Sequence, residues 1–216
     1  MKIAAADVVH LLHGAEHATL ATQSLQMPGY PYATVVPCVL DETHCPILFI
    51  SALAEHTKNV LAEARTSLSV VHSDAGNVQA AARLSIVGDC ERFEPTPQLV
   101  ARYLRYQPDA EQYLALDFMF FRLQPKRLRY IGGLGRMGWL EREDWHDIPR
   151  LALDDEAALL RNLSNEMPAD TRLLGLDCYG LDYKASGKQL RGTFAAPALS
   201  ADALIQAATQ LVKALR

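Results

Sequence analysis

The chain of 216 residues predicts a mainly β protein with helices: a six- to seven-stranded β-barrel, then a small α/β segment ordered helix, strand, strand, strand, helix. Three observations predict it. Short β-type runs follow one another with turn-forming segments between them and few helices, whereas a doubly wound sheet would place a helix of about 10–15 residues after each strand. Ala82–Gly88 alternates apolar and polar residues with period two, the mark of a half-buried strand. Past residue 150 the order changes, and helix-spaced apolar residues bracket three short β-type runs.

Taken in order, Ile3, Val8, Val9, Leu11 and Leu12 recur at helical spacing and predict a first helix ending near Gly14. Strands are predicted at Thr19–Thr22, Ala33–Val39 and Ile47–Ser51, divided by the turn formers Met27–Pro31 and Asp41–His44. His56–Ala64 returns to helical spacing, Ser67–Val71 reads as a strand, and Pro97–Tyr106 and Ala110–Leu116 read as helices divided by Pro108. Phe118–Leu123 and Arg127–Ile131 are the last strands of the block, closed by Gly132, Gly133 and Gly135. Residues 141–155 are acidic and read as a linker. The boundaries that follow are residues 1–145 for the barrel and residues 150–216 for the α/β domain. In the latter, a helix at Asp155–Glu166 precedes strands at Leu173–Asp177, Leu181–Lys184 and Leu190–Phe194, and Ser200 caps a last helix over Ala201–Leu215.

The composition is that of an ordinary globular protein, with 50% hydrophobic and 21% charged residues. A net charge of -4 gives no basic field for nucleic acid, and no apolar run nears the ~20 residues that span a bilayer. The first residues lack the clean apolar core of a signal peptide. Cys38, Cys45, Cys90 and Cys178 show neither CxxC nor zinc spacing and read as reduced thiols. The expected location is cytoplasmic.

The most informative stretch, Ile50–Asn59, leaves a strand, turns and enters a helix, with Ser51, His56, Thr57 and Lys58 bunched at the helix start. Free backbone N–H groups and the positive dipole end suit an anionic group there; an ordinary cap with a solvated lysine is the competing reading. Arg83 stands in an otherwise small or apolar strand, where it either grips a carboxylate or phosphate or pairs with Asp89 or Glu91. The glycines after Tyr130 allow close backbone approach but are no dinucleotide fingerprint. Lys126, Arg127, Arg129 and Arg136 form a local basic stretch. His10, His13 and His17 share a helical face, joined by no cysteine and by no carboxylate except Asp7 and Glu16, which is a weak set for a metal site. No Ser-His-Asp order, HExxH or Walker sequence occurs.

The stretch from Ala18 to about Trp139 resembles the pyridoxamine-phosphate-oxidase-like split-barrel superfamily, and within it the haem-utilisation (HugZ-type) branch. The matching residues are Thr19-Leu20-Ala21-Thr22, Gly29-Tyr30-Pro31-Tyr32-Ala33-Thr34, Ser51-x-Leu53-Ala54-x-His56-Thr57-x-Asn59, Ala82-Arg83-Leu84-x-x-x-Gly88 and Tyr130-Ile131-x-Gly133-x-Gly135. In the C-terminal part they are Leu176-Asp177-x-x-Gly180-x-Asp182 and Arg191-x-x-Phe194-x-x-Pro197. The resemblance implies a split β-barrel homodimer with a cofactor at the interface. It implies an FMN-binding oxidoreductase, a flavoprotein with Ser51, His56, Thr57, Lys58, Asn59 and Arg83 around the cofactor; the alternatives are a haem-binding or haem-degrading protein and a non-enzymatic haem- or flavin-binding regulatory protein.

Two departures matter. The strand Ala33–Cys38 lacks the basic residues that grip phosphate in the flavin oxidases. Relatives carry an Asn-x-x-His type sequence where this chain reads Asn165-Glu166-Met167-Pro168, and residues 150–216 contain no histidine. His72 and His146 are then the haem-iron candidates.

Overall fold

The computed structural model describes residues 3–72, 77–133 and 136–215. Helix α1 (Ala5–His13) ends at Gly14 and leads into β1 (His17–Gln23), so His17 starts a strand and leaves the helical face of His10 and His13. β2 (Pro31–Pro37), β3 (Val39–Leu40), β4 (Pro46–Ser51), α2 (Glu55–Ala62), β5 (Arg65–Val71) and β6 (Ala82–Arg92) follow. Then come α3 (Pro97–Tyr106), a 3-10 turn over Pro108–Tyr113, and β7 (Phe118–Gly132). Leu134 and Gly135, part of the expected glycine break, lie outside the described residues.

The strands form one antiparallel sheet in the order β2-β1-β5-β6-β7-β4-β3. It curls until β2 comes against β4 without pairing to it, which leaves the barrel split along that line. Period-two alternation builds the inner face: Ala18, Leu20 and Thr22 of β1 and Thr66, Leu68 and Val70 of β5 are buried, and their neighbours face outward. β4 is buried throughout from Pro46 to Ile50, because both its faces are covered. Leu48 and Ile50 join the barrel core. Ile47 and Phe49 turn to α3, where Phe49, Tyr103 and Phe120 pack ring against ring.

The two strands expected at 118–131 are one, bent at a bulge: Val87 pairs with Arg127 while Gly88 pairs with Pro125, so Lys126 is the extra residue. Gly88 is required there, because a Cβ would lie 2.1 Å from the Gln124 carbonyl oxygen. The helix expected at Ala110–Leu116 is replaced by the 3-10 turn. Residues 141–155, read as a linker, are ordered: β8 (Met137–Glu141) pairs with β7, and α4 (Arg142–His146) buries Trp145 in the barrel core.

α5 (Leu153–Ser164), β9 (Thr171–Asp177), β10 (Gly180–Ala185), β11 (Lys188–Thr193) and α6 (Ala201–Ala214) complete the chain. Ser200 caps α6 through the Ala203 N–H. The three strands form an antiparallel sheet in the order β11-β10-β9, with Leu204, Ala208 and Val212 of α6 and Leu160 and Leu163 of α5 packed on it. Cys178 and Tyr179, at the β9–β10 turn, reach into the barrel core.

Candidate functional site: the split groove and the polar junction

The first site is the split itself. A groove of about 300 Å³ runs between Val35, Val36 and Pro37 of β2 and Phe49, Ile50 and Ser51 of β4, with Tyr103, Tyr113, Phe118 and His56 also on its walls. The lining is predominantly apolar and aromatic. His56 is half-buried on the first turn of α2, and burial lowers its pKa below 6.5, which keeps the ring neutral at pH 7.

α2 begins without a side-chain cap, Ala54 being its N-cap residue, so its first N–H groups lack that partner. Ser51 Oγ instead accepts from the Leu53 N–H at 3.2 Å. Thr57 is fully buried, and its Oγ1 has no hydrogen-bond partner among the described residues. Lys58 is exposed. Asn59 is occupied structurally: Oδ1 accepts from the Leu25 N–H at 3.0 Å and Nδ2 donates to Thr22 Oγ1 at 3.0 Å, pinning α2 to β1 and the turn after it.

Arg83 is not brought to this groove within one chain. Ser51 pairs with Phe118 and Arg83 with Ile131, so they stand thirteen positions apart along β7, about 40 Å in an extended strand. Arg83 Nη1 donates to the carbonyls of Val78 and Gln79 at 2.9 and 3.2 Å. The basic stretch beside it is largely spent: Lys126 pairs with Asp89, Arg127 with Glu141 and Arg136 with Asp7, while Arg127 and Arg129 lie against Trp139.

The iron candidates lie elsewhere. His146 is exposed on α4 and accepts from Arg142 Nε at 3.2 Å. His72 is exposed at the end of β5. It lines a cavity of about 370 Å³ between α1, the barrel and β11, together with His10, Tyr130 and Arg191.

The second site was not legible in advance. At the junction of α1, α3, the β3–β4 turn and the three-stranded sheet, His13, His44, Tyr106, Asp177 and Asp182 are all buried around Arg191. Arg191 donates to Asp182 Oδ1 at 2.6 Å, to both oxygens of Asp177 at 2.9 Å and to His10 Nδ1 at 3.0 Å. Tyr106 donates to Asp182 Oδ2 at 2.6 Å. Asp41 builds the turn that aims His44: its Oδ1 accepts from the Thr43 and Cys45 N–H groups, and His44 sits at φ 60°, a left-handed conformation uncommon for a non-glycine residue. Asp177, Asp182 and Arg191 all belong to the C-terminal sequence patterns, and that was the available signal. Their partners outside the small sheet come from 76 to 181 positions away, from Tyr106 on Asp182 to His10 on Arg191.

An open, curled antiparallel sheet with a ligand-sized groove in its opening defines the split-barrel class. Residues 2–147 match the profile of the CREG β-barrel family, and the chain belongs to that family. It is 27% identical over 202 residues to the non-canonical heme oxygenase HOZ of Arabidopsis thaliana chloroplasts, covering 83% of this chain but 62% of that protein's length. A heme binding protein from Mycobacterium smegmatis superposes with a TM-score of 0.62 at 27% identity, over 100% of this chain and 98% of that one. A protein of unknown function from Agrobacterium tumefaciens shares the fold at a TM-score of 0.75 and 23% identity, over 95% and 94% of the two chains.

Proposed function

We propose that this protein binds haem in the split between β2 and β4, with His56 as the iron ligand. The observation that carries the reading is His56 itself: a half-buried imidazole, kept neutral by burial, on the wall of an apolar, aromatic-lined groove. Such walls suit a porphyrin face, and neutral imidazole is the ring form that binds iron. Bound haem supplies one-electron and dioxygen chemistry. The chain's own residues bind and orient it: His56 holds the metal, Lys58 stands two positions further along α2 for a propionate, and Tyr103, Tyr113 and Phe118 exclude water. Two relatives at 27% identity, named for haem oxygenation and haem binding, support the choice of ligand. We read residues 1–145 as the cofactor-binding domain and residues 150–216 as its companion. A homodimer with the cofactor in a shared cleft is the arrangement in which Arg83 and the α2 groove both act on one ligand. Four buried free thiols fit a reducing compartment such as the cytoplasm.

The test is a haem titration of the purified protein. A sharp Soret band at one haem per protomer, lost in His56→Ala and kept in His72→Ala and His146→Ala, supports the assignment. Loss in His72→Ala or His146→Ala alone places the ligand elsewhere and rejects it.

Flavin mononucleotide is a second reading, favoured by one observation: the orphaned Thr57 hydroxyl beside Lys58 at an uncapped helix start, a place suited to phosphate. Flavin fluorescence quenched at one per protomer, and restored in Lys58→Ala, would select it over haem.

A further inference from the structure

The buried junction holds one proton more than two neutral histidines supply. Asp182 Oδ2 lies 2.7 Å from His13 Nδ1 and the Pro149 carbonyl 3.3 Å from His44 Nε2. A carboxylate and a carbonyl only accept, so each of those ring nitrogens carries a hydrogen. A neutral imidazole has a single N–H. With both rings neutral, His13 Nε2 and His44 Nδ1 would face each other as bare lone pairs at 3.0 Å, with Asp177 Oδ2 3.3 Å from the first. One added proton on His13 Nε2 resolves this, because it points at two acceptors at once.

The charge count agrees. Asp177 and Asp182 bring two negative charges, and Arg191 returns one. An imidazolium at His13 brings the set to zero. A divalent cation among His13, His44 and Asp177, whose donor atoms all lie within 4.8 Å of one another, would instead leave the set at net +1 against the guanidinium already on Asp177. The other groups facing the junction do not alter the balance. Arg102 of α3 is compensated by Glu156 of α5, Tyr106 donates as a neutral phenol, and His10 accepts from Arg191.

We infer that His13 is held as an imidazolium and that the three-stranded sheet docks on the barrel through that proton. His13 belongs to α1, while Asp177, Asp182 and Arg191 belong to β9, β10 and β11. Removing the proton leaves a net negative charge buried between them, and burying an unpaired charge is costly. Burial also lowers the His44 pKa to about 4, so His44 does not supply the proton instead. Docking therefore depends on that proton being in place. The same contact builds one side of a cavity. Gln189, Leu190 and Arg191 form one wall of the 370 Å³ space that faces His10, Val71, Ala82 and Tyr130, so undocking removes that wall.

The direct test is nitrogen NMR of the histidine rings in the full-length wild-type protein at about pH 7.5. Protons on both His13 nitrogens and on Nε2 alone of His44 are expected. A single protonated nitrogen on His13 overturns the inference, as do ring signals that change when a chelator strips a metal. A second test uses charge compensation. His13→Gln should lower the melting temperature, and His13→Gln/Asp177→Asn, neutral again, should recover most of the loss. Additive losses in the double variant mean that His13 acts by shape alone and reject the proton-linked docking.

Discussion

The side chains at the start of α2 divide into those that hold the helix and those left over. Asn59 holds it, since its two bonds to Leu25 and Thr22 are the polar link between α2 and the strand layer. Asn59→Ala leaves the Leu25 N–H without a partner and the Thr22 hydroxyl with the Tyr32 carbonyl alone, and should cost about 1–3 kcal/mol in denaturant unfolding. Thr57 is the opposite case. Its hydroxyl is buried and idle, so Thr57→Val should leave stability unchanged or raise it in the same assay, while weakening any phosphate ligand bound there. His56 sets a pH dependence. Its pKa is lowered by burial, above all, from 6.5, and iron takes the neutral ring. Protonation therefore competes only as the pH falls below about 6.5. Haem affinity from a Soret titration should stay level from about pH 8 to that point and decline below it; an affinity that rises on acidification would be inconsistent with His56 ligation. These roles were half legible in sequence. The cluster Ser51, His56, Thr57, Lys58 is contiguous, so reading it needs only a helix start. Whether Asn59 is a ligand contact or a structural pin depends on Leu25 and Thr22, which only folding brings near.

At the scale of elements, periodicity located most strands and helices because alternation and helical spacing are local. It failed where a neighbour decides the outcome. β7 reads as two strands because Pro125 and Lys126 break the pattern, yet the bulge opposite Gly88 carries the ladder through. β8 was hidden in Met137–Glu141, whose single buried residue, Leu140, leaves almost no pattern to read. The seat of α5 was likewise invisible. Glu156, one of three acidic residues in its first turn, is fully buried and accepts from Arg102, Arg105 at 2.7 Å and the Leu176 N–H at 3.0 Å. Arg102 Nε in turn donates to the Leu40 carbonyl at 2.7 Å. One carboxylate thus ties α3, α5 and β9 together. Glu156→Ala strands a buried guanidinium and should cost about 3–5 kcal/mol. Asp155→Ala, one residue earlier and exposed, should cost almost nothing by the same denaturation measurement.

The whole molecule presents one face that is nearly free of charge. Across β2, β1, β5 and β6 the register aligns Ala33, Ala21, Ser67 and Val87 in one row, and Val35, Thr19, Ser69 and Ser85 in the next. None of these side chains is charged, and Val35 and Val87 stand 66% and 50% exposed. Pairing continues from Val87 to Arg127 and from Ser85 to Arg129, so cations stacked on Trp139 border the patch. An apolar centre with a charged rim is the pattern of a protein interface, and a flat patch of small residues suits packing against a second copy. Thr19 lies between Val35 and Ser69 and is exposed. Thr19→Arg should therefore separate the proposed dimer into monomers in sedimentation velocity while changing the stability of the chain by less than about 1 kcal/mol. The groove between β2 and β4 shares strand β2 with this face, since Val35 belongs to both. If the second copy completes the groove, haem affinity falls together with dimerisation in this variant. A variant that becomes monomeric with haem affinity intact shows that one chain suffices for the ligand, and a variant that stays dimeric moves the interface to another face.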